Sequence, residues 1–255
     1  MYKKYNKLLL LLIIGVLPFF IIGGCNGDGD SGNDGDQIPF ADAEVFFEFN
    51  ATDLDLGIQI FFDAEGWLEV EVSGPNGTIF RVENAGSLME IGSTELFTES
   101  EEPELDEFPI EEFLALFPEG EYQFSGTTVD GDELVGTAEL THDLPAAPNI
   151  TSIGNPVIEW CDTSEEGDPA IVRYQVIVEF VELDEFDEET GRVFEFSVDV
   201  LADPEATCSN GTQSVTVPPE FFESLEELDG EFKAEVLASE ESGNKTISEQ
   251  EFELE

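Results

Sequence analysis

The chain has 255 residues, with 60 Asp and Glu against 8 Lys and Arg, a formal net charge of −52. A body this acidic repels the phosphates of DNA and RNA, and it cannot lie as a basic amphipathic surface on anionic lipid. Hydrophobic residues nevertheless make up 41% of the chain, including 22 Phe, so the composition supports folded cores rather than a disordered polyanion.

The chain opens with Lys3, Lys4 and Lys7, an apolar run over residues 8–22, then Gly23 and Gly24 before Cys25. A positive start, an apolar stretch and small residues at its end are the parts of a secretory signal peptide, predicted over residues 1–24. The run is nearly long enough to span a bilayer, but Pro18 inside it and the glycines beside a cysteine favour cleavage. Ile22-Gly23-Gly24-Cys25 resembles the lipobox of bacterial lipoproteins. That resemblance implies that Cys25 carries lipid, becomes the new N-terminus and anchors an exported protein to the cell envelope. Asn26 rather than Asp follows the cysteine. By the same resemblance this implies the outer membrane, facing the periplasm or the cell surface.

Residues 26–36 read NGDGDSGNDGD. Glycine gives flexibility and aspartate gives self-repulsion, so residues 25–40 are predicted to be a lipidated cysteine and an extended tether. The aspartate spacing does not make an EF-hand loop: counting from Asn26, Ser31 stands where glycine is required, and no Glu closes the loop.

From residue 41 onward short β-type runs alternate with turn residues. Strands are predicted at 44–50, 58–63, 68–72 and 78–83, the last pair around the Asn76-Gly77 turn. A second hairpin, 121–129 with 134–141, closes through Asp130-Gly131. Pro145 and Pro148 break the pattern and place a module boundary there, giving modules 41–146 and 147–255. In the second module strands are predicted at 157–161, 170–181, 193–200, 213–217, 231–238 and 246–254. Tyr174, Val176, Val178 and Phe180 form one buried face of their strand, although Ile177 and Val181 make the other face less than purely polar.

An internal repeat links the halves. Pro109 precedes Gly120-Glu121-Tyr122 by the same eleven positions by which Pro219 precedes Gly230-Glu231-Phe232. Each intervening stretch carries apolar residues at helical spacing: Ile110, Phe113, Leu114 and Phe117 in the first, Phe221, Phe222, Leu225 and Leu228 in the second. Each stretch reads as a short helical crossover feeding a strand.

The second half resembles a fibronectin type III domain, on Ile158-Glu159-Trp160, Tyr174-Gln175-Val176 and Glu231 to Ala238, with Ser242-Gly243-Asn244 as the last turn. The first half resembles an immunoglobulin-like domain, with Tyr122 at the position of Phe232. Members of the family carry a tyrosine there whose hydroxyl bonds back to the preceding loop; Phe232 keeps the packing and lacks that bond. The expected fold class is therefore all-β, two tandem immunoglobulin or fibronectin type III-like sandwiches. With Cys25 lipidated, Cys161 and Cys208 remain, an even pair in an oxidising compartment, though two buried thiols are the alternative. The resemblance implies that the strand ending at Cys161 meets the strand that follows Cys208, which brings the two sulfurs together.

Catalytic motifs are absent: there is no nucleophile elbow, phosphate loop, dinucleotide fingerprint or zinc-protease helix. The one histidine, His142, lies between the modules and reads as a solvated linker residue. Charge is spread evenly, 27 acids and 1 base over residues 41–147 against 29 and 4 over 148–255, so it marks no single patch. Solubility in a salty habitat explains it most simply. Divalent-cation loading is the sharper reading, with Asp130, Asp132, Asp187 and Glu188 as candidate ligands and calcium as the one cofactor considered. Sequons occur at Asn50, Asn76, Asn149, Asn210 and Asn244. The expectation is a non-catalytic binding or spacing module that meets an envelope protein or glycan through the 162–169 loop or the 182–191 hairpin. Trp67 or Trp160 lying open on a flat face would favour a glycan-binding part of a polysaccharide-handling system, and calcium binding a calcium-responsive surface protein.

Overall fold

The computed structural model describes residues 37–154, 156–183 and 189–253. Fourteen strands and three short helices follow one another in this order: β1 (Gln37–Pro39), β2 (Asp42–Asn50), β3 (Asp55–Gly74), β4 (Gly77–Glu83), α1 (Leu88–Ile91), β5 (Ser93–Glu99), α2 (Ile110–Leu116), β6 (Gly120–Thr128), β7 (Glu133–Leu140), β8 (Asn149–Ile153), β9 (Val157–Cys161), β10 (Arg173–Leu183), β11 (Glu189–Leu201), β12 (Gln213–Thr216), α3 (Pro219–Glu223), β13 (Gly230–Ser239) and β14 (Lys245–Phe252). The fold is all-β, and the described residues belong to one compact unit.

In the C-terminal half, β8, β9 and β12 form one sheet in the order β12-β9-β8, and β14-β13-β10-β11 form the facing one. Three strands against four, with each hairpin partner in this order, is the fibronectin type III arrangement. Between the sheets Trp160, Tyr174, Val176, Val178, Phe180, Ala234 and Val236 make a buried core. The ring of Phe232 sits 4.7 Å from that of Phe180.

The N-terminal half has the same strand order with one economy. The first part of β3 pairs with β2 and β5, and its second part pairs with β4 and β6. One strand of 20 residues thus serves both sheets, where the sequence predicted two strands at 58–63 and 68–72. The bend falls between Asp63 and Trp67, where the pairing register shifts. Gly66 and Gly92 allow it. A Cβ on Gly92, which has φ +75°, would lie 2.6 Å from the Gly66 carbonyl carbon, so the two backbones touch where side chains would hold them apart.

Both crossovers of the repeat are helical. Phe113 of α2 is buried in the first core, with Ile110, Leu114 and Phe117 packed against it. Phe222 of α3 and Leu225 are buried in the second, with Phe221 and Leu228 against them. Tyr122 donates its hydroxyl to the Pro118 carbonyl at 2.9 Å, the bond that Phe232 cannot make.

Three expectations are corrected. Residues 37–40, assigned to the tether, are folded: β1 pairs in parallel with β7, and Phe40 packs edge-on against Phe62 and Phe124. An apolar Ile-Pro-Phe run has more to gain from the core than from solvent. The outer face of β10 is buried as well as the inner, at Gln175, Ile177 and Glu179, and this second buried face continues through Leu237, Ile247, Phe46 and Phe61. Strands β5 and β8 were not predicted. Leu96 and Phe97 are the only large apolar residues in β5, and β8 follows directly on the prolines, so neither shows a strand pattern. The predicted signal peptide, Cys25 and the acidic tether lie outside the described residues.

Candidate functional site

The place where the two sandwiches meet is built from the turn between β13 and β14. Glu240 folds its carboxylate over this turn and accepts hydrogen bonds from the backbone N–H groups of Ser242 (2.8 Å) and Asn244 (2.9 Å). That holds Asn244, which is fully buried, pointing into the other sandwich. Its Nδ2 donates to the Thr141 carbonyl (3.0 Å), the Thr141 hydroxyl (2.9 Å) and the Asp143 carbonyl (3.2 Å), while its Oδ1 accepts from the Phe47 N–H at 2.8 Å. Beyond the turn β14 pairs in parallel with β2, Lys245 opposite Glu48 and Ile247 opposite Asn50. Ala51 N–H donates to the Ile247 carbonyl (2.9 Å), and Glu249 N–H to the Thr52 hydroxyl (3.0 Å). The strand pair makes one sheet run through both sandwiches, from β11 to β3 and onward to β6 and β7.

His142 is half-buried at this junction instead of solvated. Its Nε2 lies 2.9 Å from the Phe117 carbonyl oxygen and its ring 5.7 Å from that of Phe47. It is a packing residue between a crossover helix and β2.

Two charged groups flank the joint. On β13, Lys233 Nζ reaches Glu235 (2.6 Å), Glu249 (3.4 Å) and Glu179 (3.6 Å). Burial pushes the Glu235 carboxyl up to about 7 despite the ammonium beside it. On the first sandwich, Glu48 of β2, Glu99 at the end of β5 and Glu102 just beyond it bring carboxylate oxygens within 4.8 Å of one another. Burial first, then the charge of Glu99 and a hydrogen bond to it, push the Glu102 carboxyl up to about 8, with Asp55 and Glu48 adding to the effect. Lys245 Nζ sits 3.6 Å from Glu48 Oε2 and 4.5 Å over the Phe46 ring, and burial draws its pKa down.

Cys161 and Cys208 form a disulfide, with β9 and β12 antiparallel beside it as the family resemblance implied. Asp130 and Asp132 lie in the β6–β7 turn and are not among the carboxylates that converge. Asp187 and Glu188 lie outside the described residues, as does most of the acidic tip of the 182–191 hairpin. Trp67 and Trp160 are both buried in the cores, so neither offers a face to a sugar ring. Asn244 is closed to glycan attachment, whereas Asn76, Asn149 and Asn210 are exposed. The convergence of Glu48, Glu99 and Glu102 escaped sequence reading because, among 60 acids, no spacing marks three from distant segments.

No family model matches the chain, and no curated protein does. Solved structures do. The tetra-tandem repeat in the extending region of a large adhesion protein matches at 12% identity over 84% of this chain and 50% of that one, with a TM-score of 0.26. A two-domain fibronectin type III segment from chicken tenascin matches at 10% identity over 83% and 97%, TM-score 0.25. A structure described as giving insight into host cell surface retention of a 1.5-MDa bacterial ice-binding adhesin matches at 17% over 87% and 66%, TM-score 0.23. The chain thus spans half the length of the first of these. Likeness at this level carries no argument about function, and the fold assignment stands on the strand order above.

Proposed function

We propose that this chain is an exported, lipid-anchored and non-catalytic envelope protein that holds a binding surface at a fixed distance from a membrane. The observation that carries the reading is the joint. Two sandwiches linked by a loose connector would be independent beads. Here a shared strand pair and the buried Asn244 side chain join them into one stiff body. A disulfide across Cys161 and Cys208 supports an oxidising compartment, and the lipobox-like residues ending at Cys25 support the anchor. The exposed 162–169 loop and the 182–191 hairpin are the surfaces offered to a protein or glycan partner.

Radiolabelled palmitate tests the anchor. The wild-type chain incorporates label and partitions with membranes; Cys25→Ser does neither. Equal labelling of the mutant removes the anchor from this reading.

A further inference from the structure

Asparagine is distributed unevenly in this sequence. Residues 41–255 hold seven asparagines, and five of them, Asn50, Asn76, Asn149, Asn210 and Asn244, stand two positions before a threonine with no proline between. Ser and Thr together fill 29 of those 215 positions, so composition alone would give about one such pair among seven asparagines. Serine would complete the motif as well and is nearly as common, 14 against 15, yet all five close on threonine. Acidic composition explains none of this.

The structure divides the five. Asn244 and Thr246 are buried, and the Asn244 amide is committed to Thr141, Asp143 and Phe47 across the joint. Asn50 is half-buried, and its Oδ1 accepts from the Thr52 and Asp53 N–H groups at 2.9 and 3.2 Å, which closes a local turn. At the other three positions both the asparagine and its threonine are exposed. Asn76 is at the tip of the β3–β4 hairpin. Asn210 is in a turn where its own N–H and that of Gly211 donate to the Thr207 carbonyl at 2.8 and 2.9 Å. A Cβ on Gly77 or Gly211, the residue after each asparagine, would meet nothing within 4 Å, so the space around both sites is open. Asn149 opens β8, and its Nδ2 lies 3.6 Å from the Cys161 sulfur, a weak acceptor.

We propose that Asn76, Asn149 and Asn210 are N-glycan acceptors, modified by a membrane-bound oligosaccharyl transferase that uses an oligosaccharide carried on a lipid phosphate. The step is a displacement with no redox change. Asn Nδ2 forms a bond to the anomeric carbon of the first sugar. The bond from that carbon to the phosphate oxygen breaks, its electron pair stays with the lipid phosphate, and the amide proton leaves to solvent. A glycan is bulky and hydrophilic, so the acceptor must be a surface residue, which these three are and Asn244 is not. Two of the three flank the disulfide: Asn149 pairs with Cys161 across β8 and β9, and Asn210 lies two positions after Cys208. The Thr163 hydroxyl donates to the Ala147 carbonyl at 2.7 Å, so the 162–169 loop starts beside the same place. Sugar there shields the disulfide and forms part of the surface that a partner of this loop meets. The proposal rests on the exported reading, because such transferases act on chains that cross a membrane.

The test is peptide mass spectrometry of the full chain isolated from the cells that make it, with the redox state of Cys161 and Cys208 read on the same sample. Peptides holding Asn76, Asn149 and Asn210 should carry added glycan mass and release sugar fragment ions, while those holding Asn50 and Asn244 should have their bare masses. Thr78→Ala, Thr151→Ala and Thr212→Ala leave each asparagine in place, and each should abolish modification at its own site alone. Thr212→Ser should keep the glycan at Asn210. A disulfide-bonded chain with all three asparagines bare would overturn the proposal and leave export standing. A reduced chain with bare asparagines would overturn both. Glycan that persists after the threonine is removed would overturn the assignment of these motifs as what the transferase reads.

Discussion

Asn244 and Tyr122 show how much a single side chain can carry in this molecule. Replacing Asn244 with Ala strands the Phe47 N–H and leaves the Thr141 and Asp143 carbonyls without their donor. We expect Asn244→Ala to cost about 3 kcal/mol, since each orphaned buried group costs about 1–3 kcal/mol, measured by chemical denaturation. Tyr122→Phe removes one hydroxyl bond to Pro118 and should cost about 1 kcal/mol; no loss would mean that this bond is not closed in solution. Tyr122 was legible because the repeat aligns it with Phe232. Asn244 was legible only as a turn residue, because its partners lie about a hundred positions away and nothing local announces them.

Glu235 sets a pH dependence at the same scale. Its carboxyl lies in a buried group with Lys233, Glu179 and Glu249, and its folded pKa of about 7 exceeds the ordinary 4.5. The folded state therefore binds more protons than the unfolded chain between these values. The stability that Glu235 contributes is fully present below about pH 4.5 and is lost as pH rises through 7. The melting temperature should drop by a few degrees from pH 5 to pH 7.5, and Glu235→Gln should reduce that slope, leaving the part that the raised Glu102 carboxyl contributes. A rise over the same interval would contradict the burial described here.

At the scale of elements, the repeated crossover was the most readable feature. Pro109 and Pro219 lie at the starts of α2 and α3, and the apolar spacing after each put the right faces inward. The continuous β3 was not readable, because Asp63 to Gly66 looks like a turn between two strands. Only the close approach of Gly66 and Gly92 reveals that the chain bends without leaving the sheet. The disulfide holds β9 to the start of the segment leading to β12. It closes a sequence separation of 47, which the chain-entropy model values at about 4 kcal/mol. Cys161→Ser with Cys208→Ser should lose a comparable amount, and reduction of the wild type should lower its melting temperature to a similar degree.

At the scale of the whole molecule, charge opposes the fold and salt relieves it. Net charges of −26 over residues 41–147 and −25 over residues 148–255 repel one another across both sandwiches, so the melting temperature should rise as sodium chloride is added. The all-β class and the tandem arrangement were open to sequence reading because alternation, turns and crossovers are local signals. The joint was not, since a parallel pair between β2 and β14 joins strands almost two hundred residues apart. That joint is what places both sandwiches in one compact unit. Amide hydrogen exchange on the full chain tests it directly. The Phe47, Ala51 and Glu249 amides, all donated across the joint, should exchange as slowly as the core strands β3 and β13. If they exchange at the rate of the exposed 162–169 loop while the cores stay protected, the sandwiches are separate beads and the stiff-spacer account is wrong.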